Sequence, residues 1–139
     1  MDYRKEFERM MESQTEMALA TAVDGMPNVR IINFYYDSDK KTLYFTSFAD
    51  NQKVREVEKN PNIAFTTITT NGEEHVRVKN GIVRKSSLSV EEVKEKFLKK
   101  MPEYIMSIPD VLPSLILFEI TFDHADVVID FEHMDRIAL

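Results

Sequence analysis

Leu43-Tyr-Phe-Thr-Ser-Phe-Ala-Asp-Asn-Gln-Lys53 is the most informative stretch of this sequence. Its aromatic and β-branched half predicts a strand that ends in two hydroxyl side chains, those of Thr46 and Ser47. Asp50 then predicts the N-cap of a helix that carries Lys53 in its first turn. Hydroxyls, free backbone N–H groups and an ammonium at one junction suit a phosphate. A plain strand–helix junction with a solvated Lys53 is the simpler alternative.

The preceding predicted strand carries a charge on a face that is otherwise apolar. Arg30 alternates with Ile32, Phe34 and Tyr36, so all four side chains share one face. Pairing of this strand with the strand that ends at Ser47 would bring Arg30 towards the lysine helix. Two cations from separate elements would then bind one phosphate. An ion pair between Arg30 and a nearby acid explains the same pattern equally well.

Periodicity and turn residues predict one helix followed mainly by strands. The strands are predicted at 17–23, 29–36, 42–48, 63–70, 76–85, 115–122 and 127–131. Helices are predicted near the N-terminus, from Asp50 to Asn60, and from the capping box that begins at Ser89 through Lys100. Turns such as Asn71-Gly72 join neighbouring strands as hairpins. This pattern predicts an α+β chain whose mostly antiparallel strands form a small barrel.

The composition indicates a folded chain and excludes several functions. The 139 residues are 43% hydrophobic and 10% aromatic, which predicts one domain over residues 1–139. A net charge of −6 argues against general binding of nucleic acid or of anionic membranes. The lack of cysteine excludes disulfides, thiolate metal ligands and a cysteine nucleophile. Without a signal-peptide core or a membrane-length apolar run, we expect a cytoplasmic protein.

Other catalytic patterns are weak. His75, His124 and His133 are too scattered to predict a metal site, so none is expected. Three glycines and no Gly-x-Ser-x-Gly motif exclude phosphate-binding glycine loops and a serine nucleophile elbow. The apolar residues of segment 101–108 predict core or dimer surface, or a lid over a substrate. They are Met101, Tyr104, Ile105, Met106 and Ile108.

Four stretches occur in an order that is informative in combination. They are Leu19-Ala-Thr-Ala-Val-Asp-Gly-Met-Pro-Asn-Val-Arg30, then Leu43-Tyr-Phe-Thr-Ser47, Lys53 and Asn60-Pro61. In this order the sequence resembles the pyridoxamine 5′-phosphate oxidase-like family of FMN-binding split barrels. The resemblance covers roughly residues 5–131. It implies a split-barrel fold, bound FMN and an oxidoreductase activity, with FMN at the interface of a homodimer.

The resemblance also implies roles for particular residues. Arg30, Ile31, Ile32 and Asn33 match the strand along the flavin, with Arg30 near the phosphate. Thr46 and Ser47 match a hydroxyl pair at the phosphate or ribityl chain, and Lys53 matches the lysine that holds the phosphate. Asn51 and Gln52 match positions that often carry polar or basic side chains. Arg77, Lys79 or the C-terminal strands are candidates for contributing across the dimer interface. Its expected surface includes strand residues near Ile32 and Phe34 together with the Met-rich segment around Met106.

The sequence departs from the oxidases that act on pyridoxamine phosphate. Those enzymes are longer and end in an Arg-x-His segment that contacts the substrate, whereas this sequence ends in Asp135-Arg-Ile-Ala-Leu139. We therefore expect an unknown substrate, and little or no formation of pyridoxal phosphate. Two alternatives stay open: a flavin-binding or sensor protein without turnover, and a relative that binds a deazaflavin or haem. A haem iron would take its axial ligand from His75, His124 or His133.

Overall fold

Nine strands, all paired antiparallel, form the sheet of the described chain, and three α-helices pack around it. The structure is a computed structural model that describes residues 1–139 apart from the side chain of Ile105. The helices are α1 (Tyr3–Ser13), α2 (Gln52–Lys59) and α3 (Val90–Lys100), with short 3₁₀ turns at Ile105–Ser107 and Pro109–Ser114. The strands are β1 (Glu16–Val23), β2 (Met26–Asn33), β3 (Tyr35–Asp37), β4 (Thr42–Phe48), β5 (Asn62–Thr67), β6 (His75–Lys85), β7 (Leu115–Thr121), β8 (His124–Val128) and β9 (Met134–Ala138). The predicted α+β class is confirmed.

Segment 26–37 connects the two ends of the sheet. The hydrogen-bonded order is β2-β1-β5-β6-β7-β4-β3, so β2 and β3 lie at opposite ends, while β8 pairs with β6 and β9 with β8. Only Phe34 separates these two strands in the chain, and its side chain is fully buried. The prediction of one strand over 29–36 is wrong because the chain changes partner at Phe34, from β1 to β4. Barrel strands change partners at corners of this kind.

Local capping interactions define the helix ends. The Ser89 side chain accepts from the backbone N–H of Glu92, whose carboxylate accepts from the backbone N–H of Ser89, so the predicted capping box is confirmed. Asn51 caps α2 by accepting from the backbone N–H of Lys53 at 3.0 Å. The prediction that Asp50 is this cap is wrong by one position. Asn and Asp cap helices almost equally well, so the sequence does not distinguish two such neighbours.

The side chains of the core form two clusters on opposite sides of the sheet. The larger one joins α1 and α2 to the inner strand faces and includes Ile32 and Phe34. The smaller one lies under α3 and includes Phe97 and Met106. Ile32, Phe34 and Met106 are themselves buried within the chain, so any dimer surface near them would use neighbouring residues. For Met106 the burial agrees with the core alternative. Ile105, predicted alongside them, has a side chain outside the described part of the chain.

Other strand bounds also differ from the sequence prediction. The strand predicted at 63–70 is β5, which ends at Thr67. The strand predicted at 127–131 is β8, which ends at Val128. Strand β9 was not predicted because Met134, Asp135 and Arg136 are all exposed and do not alternate with buried residues. In the chain as described, none of the helices combines the length and the apolar character that crossing a membrane requires.

Candidate functional site

Strands β2 and β4 lie close to each other without pairing, and we call the gap between them the seam. Strand β2 is at one end of the sheet, so the backbone groups on its outer edge face the seam without a partner strand. Arg30 and Asn33 lie on β2, and Thr46 and Ser47 lie on β4. Three residues, 49–51, separate the end of β4 from the start of helix α2. The residues predicted to form a site therefore belong to the three elements around the seam.

Packing of α2 against β1 positions the charged residues of the site. The inner face of α2 buries Lys53, Val54, Glu56 and Val57, and the helix packs mainly on β1, with further contacts to β6. Since Leu19 of β1 pairs with Arg30 of β2, this packing places the helix beside Arg30. The predicted convergence of Arg30 and Lys53 does occur, but not through pairing of their strands. Only the short β3 end of segment 26–37 pairs with β4.

The guanidinium of Arg30 is held from two directions. Its Nη2 donates to Glu56 Oε1 at 2.7 Å, and its Nη1 donates to Thr21 Oγ1 at 2.8 Å and to the carbonyl of Leu19 at 3.2 Å. The side chain of Arg30 is 20% exposed and that of Glu56 is 11% exposed. The alternative explanation from the sequence, an ion pair between Arg30 and a nearby acid, is confirmed. The ion pair fixes the position of the guanidinium.

Glu56 is the central acceptor of this network, and the sequence analysis missed it. Besides Arg30, the carboxylate accepts from Thr21 Oγ1 at 3.1 Å and from Asn28 Nδ2 at 3.3 Å. A signal was present in the sequence, because Glu56 falls on the same helical stripe as Lys53 and Val57. An acid on a buried stripe requires a partner cation or several donors.

Lys53 is the second cation of the site and has no counter-ion. The residue is only 8% exposed because its stem packs against the chain, while its Nζ keeps some contact with solvent. The alternative of a solvated ammonium is therefore compatible with the structure. Among the described side chains, none forms an ion pair or a hydrogen bond with its ammonium. Burial lowers the pKa of Lys53 below its usual value, and the positive charge of Arg30 lowers it further. A partly desolvated ammonium that feels the charge of a nearby guanidinium is a site that an anion would stabilise.

The first turn of α2 also lacks an acid. Helix α1 carries Glu6 in its first turn and α3 carries Glu91 and Glu92, whereas α2 carries none. The positive end of the α2 dipole is therefore not balanced by a carboxylate in that turn. Gln52 is exposed there and lines a cleft of about 370 Å³ between α2 and the β1–β2 turn.

The two hydroxyls of β4 do not act as a pair. Successive residues of a strand face opposite sides, and Thr46 and Ser47 follow that rule. Thr46 Oγ1 lies 2.6 Å from the hydroxyl of Tyr104, whereas Ser47 Oγ donates to the carbonyl of Phe48 at 3.3 Å. Burial raises the pKa of Tyr104, and the bond to Thr46 partly offsets that rise. Both hydroxyls are buried, and the bond to Tyr104 occupies part of the hydrogen-bonding capacity of Thr46.

The remaining candidates on β2 differ in exposure. Ile31 is 61% exposed, and Ile32 points into the core. Asn33 Nδ2 donates to the carbonyl of Thr15 at 3.2 Å. Ile31 therefore offers an apolar side chain on the outer face of the sheet. Asn33 instead ties the end of β2 to Thr15, the residue just before β1.

The histidines do not join this network. His75 Nδ1 lies 2.7 Å from the carbonyl of Glu73, and His133 Nδ1 lies 2.9 Å from Asp130. Among the residues that the structure describes, no three His, Cys, Asp or Glu side chains are placed to hold a metal ion.

The family model for pyridoxamine 5′-phosphate oxidase-like proteins matches residues 10–133. The chain belongs to the pyridoxamine 5′-phosphate oxidase-like family. The match spans the whole candidate site, from Thr21 on β1 to Glu56 on α2. The resemblance found in the sequence is therefore confirmed. A comparison with curated proteins gave no significant match.

Solved structures share the split-barrel fold of this family member. General stress protein 26 from Bacillus anthracis has a TM-score of 0.75 and 19% identity, with 100% of both chains covered. A FAD-binding protein from Mesorhizobium loti has a TM-score of 0.66 and 17% identity over 88% of this chain and 89% of its own. HutZ, a haem storage protein from Vibrio cholerae, has a TM-score of 0.69 and 17% identity over 87% and 90%. At these identities the similarity establishes the split-barrel fold alone.

Proposed function

We propose that this protein binds FMN, with the phosphate held by Arg30, Lys53 and the N-terminus of α2. The observation that carries the proposal is Lys53, a largely buried residue whose ammonium has no counter-ion among the described residues. A partly desolvated charge of this kind favours an opposite charge, and a phosphate would supply it. Membership of the pyridoxamine 5′-phosphate oxidase-like family supports a ligand of this class.

The donors suit a phosphate monoester. Arginine has five N–H donors, and three of those on Arg30 are engaged by Leu19, Thr21 and Glu56. The Nε–H and one Nη2–H stay available, together with the ammonium of Lys53 and the first N–H groups of α2. Charge-assisted bonds from such donors are the strongest that proteins offer to phosphate.

The seam and the outer face of β2 would bind the flavin ring. The unpaired backbone edge of β2 offers N–H and C=O groups to the polar edge of a ring. Val29 and Ile31 are 62% and 61% exposed on the same strand and would contact its apolar surface. Bound FMN would supply hydride and single-electron transfer, while the chain positions the ring. We propose an oxidoreductase activity on this basis, with a substrate that the site does not identify.

Turnover separates an oxidoreductase from a flavin-binding or sensor protein. The purified chain, loaded with FMN, is expected to oxidise NADH or NADPH in repeated turnovers. Free FMN at the same concentration is the control. Bound flavin without turnover would instead identify a binding or sensor protein.

The comparisons keep haem as a competing ligand, because one relative in fold is described as a haem storage protein. None of the described hydrogen bonds or ion pairs links His75, His124 or His133 to Arg30 or Lys53. The histidines thus lie outside the cationic network, and the absorption spectrum of the bound ligand distinguishes haem from a flavin. A deazaflavin that carries a phosphate would use the same cations, and mass analysis of the released ligand distinguishes it from FMN.

We further propose that the protein is a homodimer in which a second copy covers the outer face of β2. Val29 and Ile31 are exposed on this face, and β1 places Ala20 and Ala18 directly opposite them. A flat apolar patch at a sheet edge is typical of a protein interface. A partner at this position would also shield a flavin ring bound at β2.

Replacing Ile31 with glutamate is expected to convert the dimer to monomers, because a charge at the centre of the apolar face would be buried on association. Ile82→Glu is the matched control, since Ile82 is 45% exposed on β6. Light scattering should show a dimer for the wild type and for Ile82→Glu, and a monomer for Ile31→Glu. A wild-type monomer that carries flavin would refute the proposed dimer.

The affinity for FMN is expected to fall as the pH rises above neutrality. The pKa of Lys53 is lowered by burial and by Arg30, so its ammonium loses the proton at a lower pH than an ordinary lysine does. The phosphate is already dianionic above about pH 7, so loss of the lysine charge dominates. Fluorescence titrations between roughly pH 7 and pH 10 should show weaker binding of FMN relative to riboflavin. An equal pH dependence for both ligands would rule out Lys53 as the titrating group.

A further inference from the structure

We propose that Glu56 is an internal counter-ion that holds Arg30 when no phosphate is bound and that opposes phosphate binding. The proposal rests on the proposed function, because it concerns the same cations. It adds a residue for which the family resemblance implied no role. Glu56 is a positioning residue in this account, since it acts on the ligand through Arg30 and through its own charge.

The carboxylate of Glu56 has the surroundings of a bound anion. It accepts from Arg30 at 2.7 Å, from Thr21 at 3.1 Å and from Asn28 at 3.3 Å. These donors come from β1 and β2, whereas Glu56 comes from α2. A guanidinium, a hydroxyl and an amide are also donors that proteins use to bind phosphate. Glu56 therefore satisfies part of a donor set that a phosphate could use.

The charges of the site explain why Glu56 is needed. Arg30 and Lys53 contribute two positive charges, and Arg30 already depresses the pKa of Lys53. Without Glu56 these two partly desolvated cations would have no counter-ion among the described residues, which is costly. With Glu56 the side chains sum to one positive charge, carried by the unpaired Lys53. The ion pair thus keeps the ligand-free protein stable.

The same carboxylate must weaken the bound state. A phosphate monoester carries close to two negative charges at neutral pH, and a phosphate on Arg30 would lie near the carboxylate of Glu56. Like charges at such separations repel strongly where water is largely excluded. Glu56 therefore lowers the affinity for every ligand that places a phosphate here, and it leaves the affinity for an uncharged analogue unchanged.

The variant Glu56→Gln tests this role because it keeps the shape of the side chain and removes its charge. It is expected to bind FMN at least about tenfold more tightly than the wild type and to bind riboflavin equally well. Glu58→Gln is the matched control, since Glu58 is exposed on the same helix. It carries the same change of net charge and should bind both ligands as the wild type does.

Thermal unfolding gives a second readout that does not use flavin. In chloride, Glu56→Gln is expected to melt at a lower temperature than the wild type. Inorganic phosphate at matched ionic strength should raise its melting temperature more than it raises that of the wild type or of Glu58→Gln. If Glu56→Gln is too unstable to purify in chloride, phosphate buffer should recover it, and failure in both buffers would overturn the proposal.

The outcomes separate this inference from the proposed function. Weaker FMN binding by Glu56→Gln, or equal changes for FMN and riboflavin, would show that Glu56 only supports the fold and would overturn the inference. The proposed function would stand in that case if the wild type binds FMN. Conversely, a wild type that binds no FMN would refute the proposed function. If inorganic phosphate still stabilised Glu56→Gln more than the wild type, the inference that Glu56 opposes the binding of an anion would stand.

Discussion

Replacing Lys53 with alanine is expected to lower the affinity for FMN about tenfold to a hundredfold and to leave the affinity for riboflavin unchanged. The ammonium is proposed to contact only the phosphate, which riboflavin lacks. Loss of one charge-assisted hydrogen bond costs roughly 1.5–3 kcal/mol of binding free energy. Because Lys53 is buried and has no other partner among the described residues, the substitution breaks no existing ion pair.

Two variants control this experiment. Lys59→Ala removes the same charge from the exposed last turn of α2 and should change neither affinity. Thr46→Val should weaken FMN binding less than Lys53→Ala does, because a neutral hydroxyl donates a weaker bond and Thr46 is already bonded to Tyr104. Fluorescence titration of both flavins against each variant gives the comparison. Equal losses for FMN and riboflavin would mean that Lys53 supports the fold and does not contact the phosphate.

Replacing Arg30 with methionine is expected to lower the free energy of unfolding by about 3 kcal/mol, because it leaves the carboxylate of Glu56 buried without its cation. Methionine keeps the apolar volume of the arginine stem, so the lost ion pair dominates over lost packing. Lys53 lies one helical turn before Glu56, and its ammonium would offset part of the loss by moving to the carboxylate. The same variant should lose affinity for FMN because the guanidinium is absent.

The double variant Arg30→Met with Glu56→Gln separates the ion pair from the rest of each side chain. If the pair stabilises the fold, the double variant should be more stable than the sum of the two single losses predicts. Urea unfolding of the four proteins measures this coupling, which we expect to be about 1–3 kcal/mol. Additive losses would show that Arg30 and Glu56 contribute independently, and the network around Glu56 would then lose its central interaction.

The sequence predicted those parts of the fold that depend on local patterns. The capping box at Ser89 and Glu92 and the burial of Val54 and Val57 are decided within a few residues. The family resemblance depended on the order of several such segments. For the same reason Arg30 and Lys53 could be selected as a pair of cations before their positions were known.

Interactions between distant segments were harder to predict. Glu56 approaches Arg30 because α2 packs on β1, and hydrophobic periodicity does not show which strand a helix will contact. Segment 26–37 looks like one strand because its apolar alternation continues through Phe34, although the chain changes partner there. Thr46 meets Tyr104 across 58 residues of sequence. Each of these contacts is set by how the barrel closes.

The apolar residues of β2 show the same limit. Apolar residues in a sequence can belong either to the core or to an interface, and periodicity alone does not separate them. Ile32 and Ile31 are neighbours of equal hydrophobicity, yet only Ile31 is exposed. Structure was needed to decide which face of β2 packs against α2 and which face is free for a partner.

The visible absorption spectrum of the purified protein tests the central claim most directly. The account predicts the two-band spectrum of an oxidised flavin, either as purified or after addition of FMN. Mass analysis of the compound released by heat should then identify FMN. A Soret band from haem, or a colourless protein that fails to bind FMN at micromolar concentration, would contradict the proposal that Arg30 and Lys53 hold the phosphate of FMN.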